Sequence, residues 1–91
     1  MNILETERKF YIVDEENNEI AEITFTYAGE EILIIDHTYV SDKHRGKGYA
    51  EALVKRVVDM AIKKEIQVIP LCPFAASEFR KKPEYRSVQK K

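Results

Sequence analysis

The strongest pattern in this 91-residue sequence is an amphipathic helix near its middle. Apolar residues recur there at intervals of three and four, at Ala50, Leu53, Val54, Val57, Val58, Ala61 and Ile62. This spacing places them on one face of an α-helix of about 15 residues. Burying that face is worth on the order of 10 kcal/mol before the entropy cost. The rest of the chain must therefore supply a surface against which the helix packs.

The segments on either side of the helix predict a β-sheet. Residues 8–13, 19–27 and 32–40 are rich in β-branched and aromatic residues and are separated by turns, which predicts an antiparallel meander of three strands. Residues 32–40 are apolar on both faces, which predicts a central strand covered above and below. A fourth strand at residues 66–71 follows the helix, and the crossover predicts that it lies parallel to the third.

The C-terminal third predicts a second helix and a break in the sheet. Pro70 has no N–H group, so pairing between the third and fourth strands should weaken there. Residues 73–81 can form a helix with Pro73 in its first turn and with Phe74 and Phe79 facing inward. Residues 86–91 are expected to be a frayed tail. The predicted fold class is α+β, a mixed sheet with two helices in one domain spanning residues 1–91.

Composition excludes several classes of protein. Hydrophobic residues make up 44% and charged residues 34% of the chain, a balance that excludes disorder and low-complexity classes. The single cysteine, Cys72, excludes an intramolecular disulfide and a four-cysteine zinc site. The N-terminus has no signal-peptide pattern, and no apolar run approaches the length of a membrane span. We expect a cytoplasmic protein with no membrane partner.

The charge is distributed unevenly along the chain. The formal net charge is −1, but residues 1–36 carry −8 and residues 37–91 carry +7. A basic half indicates an anionic partner, although both halves can also be solvated faces of one domain. Nucleic acid is a disfavoured partner because no stacking aromatic residue lies among the basic residues 43–47.

The loop between the third strand and the main helix predicts an anion site. Gly46 and Gly48 flank Lys47 directly before the helix, where glycines allow backbone N–H groups to face an anion. The helix N-terminus adds unpaired donors. Full positive charge comes from three side chains, Lys43, Arg45 and Lys47. The alternative is an ordinary loop with solvated lysines. The spacing is neither a Walker A loop nor a dinucleotide fingerprint, since the Lys-Ser/Thr pair and the third glycine are missing.

Two motifs resemble a known family. Residues 45–50, Arg-Gly-Lys-Gly-Tyr-Ala, match Arg/Gln-x-x-Gly-x-Gly/Ala, the acyl-CoA signature of the GNAT N-acetyltransferase superfamily. Pro-Leu-Cys-Pro-Phe at residues 70–74, followed by Phe79-Arg80 and by Pro-Glu-Tyr at residues 83–85, resembles the small single-domain GNAT-like family with a Pro-x-Cys motif. The resemblance covers about residues 8–85. It implies a GNAT-like fold whose two central parallel strands splay apart around acetyl-CoA.

The resemblance also implies which residues bind the co-substrate. Backbone groups of Tyr39 and Val40 would bind the pantetheine arm, and N–H groups of residues 45–50 would hold the pyrophosphate. The full expected set is Thr38, Tyr39, Val40, His44, Arg45, Gly46, Lys47, Gly48, Tyr49, Ala50 and Phe74. The implied activity is transfer of an acetyl group from acetyl-CoA to an unknown amine acceptor, with no metal. The alternative is a non-catalytic acyl-CoA-binding module or sensor.

Two residues are candidates for the chemistry. Cys72 ends the fourth strand just before a helix; the family's cysteine here is its candidate catalytic residue, and acetyl transfer could pass through a Cys72 acyl-enzyme. The alternative role is a small buried hydrophobe. His37 is a candidate base or a structural histidine, and strict alternation predicts that Asp36 points to the opposite face. His44 would meet solvent or phosphate. The spacing of these histidines and the cysteine does not suggest a metal site.

The sequence departs from full-length GNAT enzymes at the acceptor side. It lacks their N-terminal strand and helices, and its second helix has Phe74 and Phe79 but no tyrosine to protonate the leaving thiolate. These departures favour the binding-module alternative. The basic residues 80–82 are a solvated run, or they meet the 3′-phosphate of CoA or a protein acceptor. We expect a monomer or a weak homodimer, since an unfinished sheet edge at the C-terminal side permits pairing.

Overall fold

A computed structural model describes residues 2–91 as a five-stranded mixed sheet with two helices. The elements in chain order are β1 (Ile3–Glu5), β2 (Lys9–Val13), β3 (Glu19–Ala28), β4 (Ile32–Val40), α1 (Tyr49–Lys64), β5 (Gln67–Pro70) and α2 (Pro73–Lys81), with 3₁₀ turns at Asp42–His44 and Pro83–Ser87. The strand order is β1-β2-β3-β4-β5, and only the β4–β5 pair is parallel. The predicted α+β class, the meander and the parallel fourth strand are therefore confirmed.

Helix α1 forms where the apolar spacing predicts it. The helix has 16 residues, and Leu53, Val54, Val57 and Val58 on its inner face are buried. Ile62, predicted on the same face, is 53% exposed, and Met60 is buried instead. Ile62 lies in the last turn of α1, which is closed by Glu65 in the left-handed conformation.

The helices cover only one face of the sheet. Strand side chains that are buried alternate along β2, β3, β4 and β5 and join the buried residues of both helices in one cluster. On the opposite face, named here the open face, Ile32 and Ile34 are only half-buried. The prediction that β4 is covered above and below is wrong, because two helices of this length suffice for one face only.

The β4–β5 pair separates at Pro70, as predicted. Pairing runs from Ile32 with Gln67 to Ile35 with Pro70. The N–H groups of Leu71 and Cys72 then both donate to the Ile35 carbonyl, at 3.1 and 3.3 Å. Strand β4 continues to Val40, so its edge toward β5 is free over residues 36–40.

A β-bulge at Asp36 corrects the predicted arrangement of Asp36 and His37. Thr24 pairs with His37 while Phe25 pairs with Ile35, so Asp36 is the extra residue. Thr24 lies between the buried Ile23 and Phe25, which places its partner His37 on the open face. Strict alternation does not hold across a bulge. Asp36 and His37 are both exposed, and the bulge removes the strict alternation on which the prediction of opposite faces rests.

Strand β1 shows that the chain does have a short N-terminal strand. Residues Ile3–Glu5 pair antiparallel with β2 and form a strand that the sequence analysis does not predict. Three residues carry too little pattern to reveal a strand in a sequence. Within residues 2–91 no helix precedes β2.

The C-terminal tail is docked rather than frayed. Val88 and Tyr85 are buried, the Val68 N–H donates to the Val88 carbonyl at 2.7 Å, and the Lys90 N–H donates to the Val68 carbonyl at 2.9 Å. Val68 and Gln89 form a parallel bridge. The prediction of a frayed segment is wrong, because the outer edge of β5 offers hydrogen bonds to it. The same contacts occupy the outer edge of β5 at Val68, the edge on which the suggestion of a homodimer rested.

Candidate functional site

A cleft of about 460 Å³ opens where β4 has its free edge. It is lined by His37, Thr38, Tyr39, Val40, His44, Arg45, Gly46, Gly48, Tyr49, Ala50, Glu51 and Phe74. The structure thus brings together all the residues expected to bind the co-substrate except Lys47, which is exposed on the rim. Glu51 was missed, because the loop motif ends at Ala50 and only an acidic first turn marks the next residue.

The glycine loop adopts the conformation that its glycines allow. Gly46 and Gly48 have φ angles of +82° and +83°, which are strained for residues with a side chain. A Cβ atom placed at either glycine would meet nothing within 4 Å. The glycines are therefore required by the backbone conformation, and they leave open space beside the loop for a ligand.

The N-terminus of α1 supplies backbone N–H donors beside the glycine loop. Gly48 is the N-cap, and no side chain caps it. The first backbone bond of the helix runs from the Ala52 N–H to the Gly48 carbonyl at 3.0 Å, so residues 49–51 have no acceptor within the helix. Free N–H groups and the helix dipole together favour an anion at this end. The residues present thus fit a diphosphate group.

Ser41 holds His44 in the wall of the cleft. The Ser41 Oγ lies 2.6 Å from the His44 Nδ1, and the His44 ring stacks on Tyr49 with centroids 6.2 Å apart. With Nδ1 engaged, the other ring nitrogen is the one left for a ligand. Sequence reasoning missed Ser41; its signal is a serine three residues before a histidine, just after the strand.

The cations of the loop lie at the surface. Arg45 Nη2 is 3.3 Å from Asp42 Oδ1, and both side chains are exposed. Lys43 and Lys47 are exposed as well. Pairs of this kind are weak in water, so the Arg45 side chain can exchange Asp42 for an anionic ligand at little cost.

Cys72 lies behind the cleft rather than in its wall. Its side chain is only 7% exposed and is not among the lining residues. The Sγ is 3.2 Å from the Thr38 Oγ1 and accepts from the Ala75 N–H at 3.4 Å, which makes Cys72 the N-cap of α2. Thr38 lines the cleft, so Cys72 is one side chain removed from it.

The aromatic residues of the C-terminal third have two separate roles. Phe74 is half-buried and lines the cleft, whereas Phe79 is buried against the Tyr85 ring at 5.3 Å. Burial raises the pKa of the Tyr85 phenol. The tyrosines that line the cleft are Tyr39 and Tyr49, from β4 and α1.

Two further findings concern residues 2–91 as a whole. No three His, Cys, Asp or Glu side chains in this part of the chain are grouped so that they could hold a metal ion. No helix among the same residues is long and apolar enough to cross a membrane.

Two solved structures illustrate the fold that this chain shares with other proteins. A GCN5-like protein from Staphylococcus aureus, solved by NMR, is 39% identical with a TM-score of 0.82, and the match covers 98% of this chain and 87% of that one. N-acetylglutamate synthase from Neisseria gonorrhoeae, solved with coenzyme A and N-acetyl-glutamate, shares the fold at 21% identity and a TM-score of 0.57, over 67% of this chain and 15% of that one.

Sequence comparisons identify the family. Protein NATD1 from chicken (Gallus gallus) and from human (Homo sapiens) is 27% identical over 63 residues, 69% of this chain. The match spans a little over half of these relatives, 57% and 56% of their length. The sequence model described as GCN5-related N-acetyl-transferase matches residues 9–88, nearly the whole chain. The chain therefore belongs to the GCN5-related N-acetyltransferase family.

Proposed function

We propose that this chain binds acetyl-CoA in the cleft and transfers the acetyl group to an amine. The observation that carries the proposal is the glycine loop with two positive φ angles, set at the N-terminus of α1 beside the free edge of β4. One site thus combines an anion cradle with a strand edge that can hydrogen-bond an amide-containing arm. The Neisseria synthase, which shares the fold and was solved with coenzyme A, supports this assignment.

Each part of the cleft has a role in binding. N–H groups of residues 45–50 would hold the diphosphate, with Arg45 supplying charge. Backbone groups at the end of β4 that has no β5 partner would pair with the amide groups of the pantetheine arm. Those of Val40 point to this edge, whereas the register turns those of Tyr39 toward Glu22 of β3. Phe74 would pack against that arm from the opposite wall.

Direct transfer fits the geometry best. The amine nitrogen bonds to the acetyl carbon, the carbon–sulfur bond of the thioester breaks, and the proton lost by the amine ends on the thiolate. His37 is the candidate base, because it lines the cleft and is exposed on the open face, from which an amine can approach. The low exposure of Cys72 and its two hydrogen bonds argue against an acyl-enzyme, since an acetylated sulfur would lose both contacts.

A non-catalytic acyl-CoA-binding module is the second candidate. It is favoured by the absence of tyrosine from α2 and by an acceptor side that no helix of residues 2–91 encloses. Such a protein would use the same cradle and show no turnover.

Intact mass and turnover measurements with acetyl-CoA and a panel of amines test these candidates together. We expect release of CoA that depends on an amine, no acetyl adduct on the protein, and retained turnover in Cys72→Ser, because serine is a good N-cap. A stoichiometric adduct that disappears in Cys72→Ser would establish the acyl-enzyme. CoA binding without turnover would establish the binding module, and no CoA binding would contradict the proposal.

A further inference from the structure

The open face of the sheet reaches the cleft at the gap between β4 and β5. Ile34 lies between the buried Leu33 and Ile35 and pairs with Ile69, so both side chains point to the open face, where they are half-buried. Leu71 directly follows the last residue of β5 and borders the gap, where its N–H donates to the Ile35 carbonyl at 3.1 Å.

Two of the most exposed apolar side chains border this gap. Leu71 is 65% exposed and Tyr39 is 43% exposed. Tyr39 pairs with Glu22, which lies between the buried Ala21 and Ile23, so Tyr39 also belongs to the open face. We name Ile34, Ile69, Leu71 and Tyr39 the acceptor strip. An exposed apolar strip beside a reactive site indicates an interaction surface.

The charges around the strip are mostly negative. On the open face, Glu19 and Glu22 both bind the ammonium group of Lys9, at 2.8 and 3.1 Å. Asp36, the bulge residue beside the gap, adds an exposed carboxylate. The glycine loop on the other side of the cleft carries Arg45 and Lys47. The two sides thus have opposite polarity, and the open face is complementary to a cationic partner.

The shape of the strip favours a polypeptide. Small-molecule sites are concave and enclose most of their ligand. Under the proposed function the cleft is filled by the co-substrate, and the strip is an exposed sheet surface without walls. A lone small amine would bury little area on it, whereas a chain segment could cover several of its side chains at once.

We infer that the acceptor is an amine carried by a basic polypeptide segment whose apolar neighbours dock on the acceptor strip. The inference rests on the proposed function, because it takes the cleft as the acetyl-CoA site. The segment would present its amine to the gap beside His37, with cationic neighbours facing Asp36 and Glu22.

Acetylation of three probes tests this inference. The first is a blocked peptide with one lysine flanked by leucine and arginine, the second has glutamate in place of arginine, and the third is Nα-acetyl-lysine amide. We expect kcat/KM to be highest for the first peptide. Leu71→Ser should raise its KM about tenfold, because a buried leucine side chain contributes about that much affinity, and should leave the KM for acetyl-CoA unchanged. Ile62→Ser, which removes another largely exposed apolar side chain, from α1, is the matched control.

Charge variants test the polarity of the surface, and an NMR titration tests docking independently of catalysis. Leu71→Lys should weaken binding of the basic peptide further. Asp36→Asn should reduce the preference for the peptide with arginine over the peptide with glutamate, whereas Asp59→Asn on α1 should not. In the CoA-bound protein the basic peptide should shift the amide signals of Ile34, Ile69 and Leu71. Peptide shifts without turnover would uphold the strip and contradict the proposed acetyl transfer.

Three results would overturn the inference. The first is a kcat/KM for Nα-acetyl-lysine amide, or for the acidic peptide, that equals that of the basic peptide. The second is an equal effect of Leu71→Ser and Ile62→Ser. The third is the absence of both turnover and peptide-induced shifts at the strip, with CoA binding intact.

Discussion

Gly29, Gly46 and Gly48 share a positive φ angle, yet only two of them line the cleft. Gly29 has a φ of +74° and lies in the turn between β3 and β4, far along the sheet from the glycine loop. A Cβ atom at any of the three would meet nothing within 4 Å. The backbone requirement is therefore the same at all three positions, and only Gly46 and Gly48 add a requirement for ligand access.

This difference predicts the effects of two alanine substitutions. Gly48→Ala and Gly29→Ala should each lower the free energy of unfolding by about 1 kcal/mol, because alanine is strained at positive φ. Only Gly48→Ala should also weaken CoA binding, by tenfold or more, since its Cβ enters the space beside the free N–H groups. Denaturant unfolding and calorimetric titration measure the two effects. Equal CoA affinity in both variants would contradict the assigned role of the loop.

Replacing Ser41 should have a smaller effect on CoA binding. Ser41→Ala removes the 2.6 Å contact with the His44 ring and leaves His44 free to rotate out of the cleft wall. We expect the Kd for CoA to rise about threefold to tenfold, the range for losing one well-placed hydrogen bond. Ser87→Ala, which removes an exposed serine contact at 3.3 Å in the C-terminal turn, is the control and should leave the Kd unchanged.

At the scale of elements, the sequence predicts best the elements that carry an extended apolar pattern or a proline at their boundary. The apolar stripe of α1 and the Pro73 start of α2 predicted both helices closely, and Pro70 predicted where β4 and β5 part. Strand β1 and the docked tail were missed, because three residues show no period and a tail's partner is set by tertiary contacts. The β-bulge at Asp36 was missed because one inserted residue leaves no composition signal.

The docked tail makes a prediction at this scale. Val88→Ala should lower the free energy of unfolding by about 2 kcal/mol, because it removes two buried methyl groups from a side chain that is 6% exposed. Arg86→Ala, in the same turn but exposed, should change it by less than about 0.5 kcal/mol. Urea unfolding measures both. A Val88→Ala variant as stable as the parent would mean that the tail is frayed in solution.

The distribution of charge over the whole molecule was only partly visible in the sequence. The acidic N-terminal half and basic C-terminal half predicted an anion site, and the loop cations do border the cleft. The sequence could not reveal that acidic residues of the N-terminal half and basic residues of the C-terminal half lie on opposite sides of the gap between β4 and β5. That arrangement depends on the uncovered sheet face and on the bulge. The family resemblance predicted nearly all of the cleft residues, of which the loop motif itself covers residues 45–50. The buried position of Cys72 and the positions of Ser41 and Glu51 required the fold.

These charges predict how stability depends on pH. The Lys9 hydrogen bond lowers the pKa of Glu19, and the Asn18 backbone N–H lowers the pKa of Asp14. Each contribution is present above the unfolded pKa, near 4, and is lost as pH falls through the lower folded pKa. The Glu19 hydrogen bond raises the pKa of Lys9, and the Glu78 hydrogen bond that of Lys82, so these contributions are lost at alkaline pH, above about 10.4.

Unfolding of the parent and of Glu19→Gln across pH tests this assignment. The parent should be the more stable protein at pH 7, and the difference should shrink below about pH 4, where the carboxylate takes up its proton. Added salt should also shrink it, since the pair is exposed to solvent. A difference that is constant from neutral to acidic pH would mean that the Lys9–Glu19 pair does not act through its charge.

The central claim is that the cleft beside the glycine loop is the acyl-CoA site, and an NMR titration of the chain with CoA tests it most directly. We predict saturable binding of one CoA, with the largest amide shifts in residues 38–51 and at Phe74, and with no change at the Gly29 turn. Absence of binding, or shifts centred on a different surface, would contradict the account.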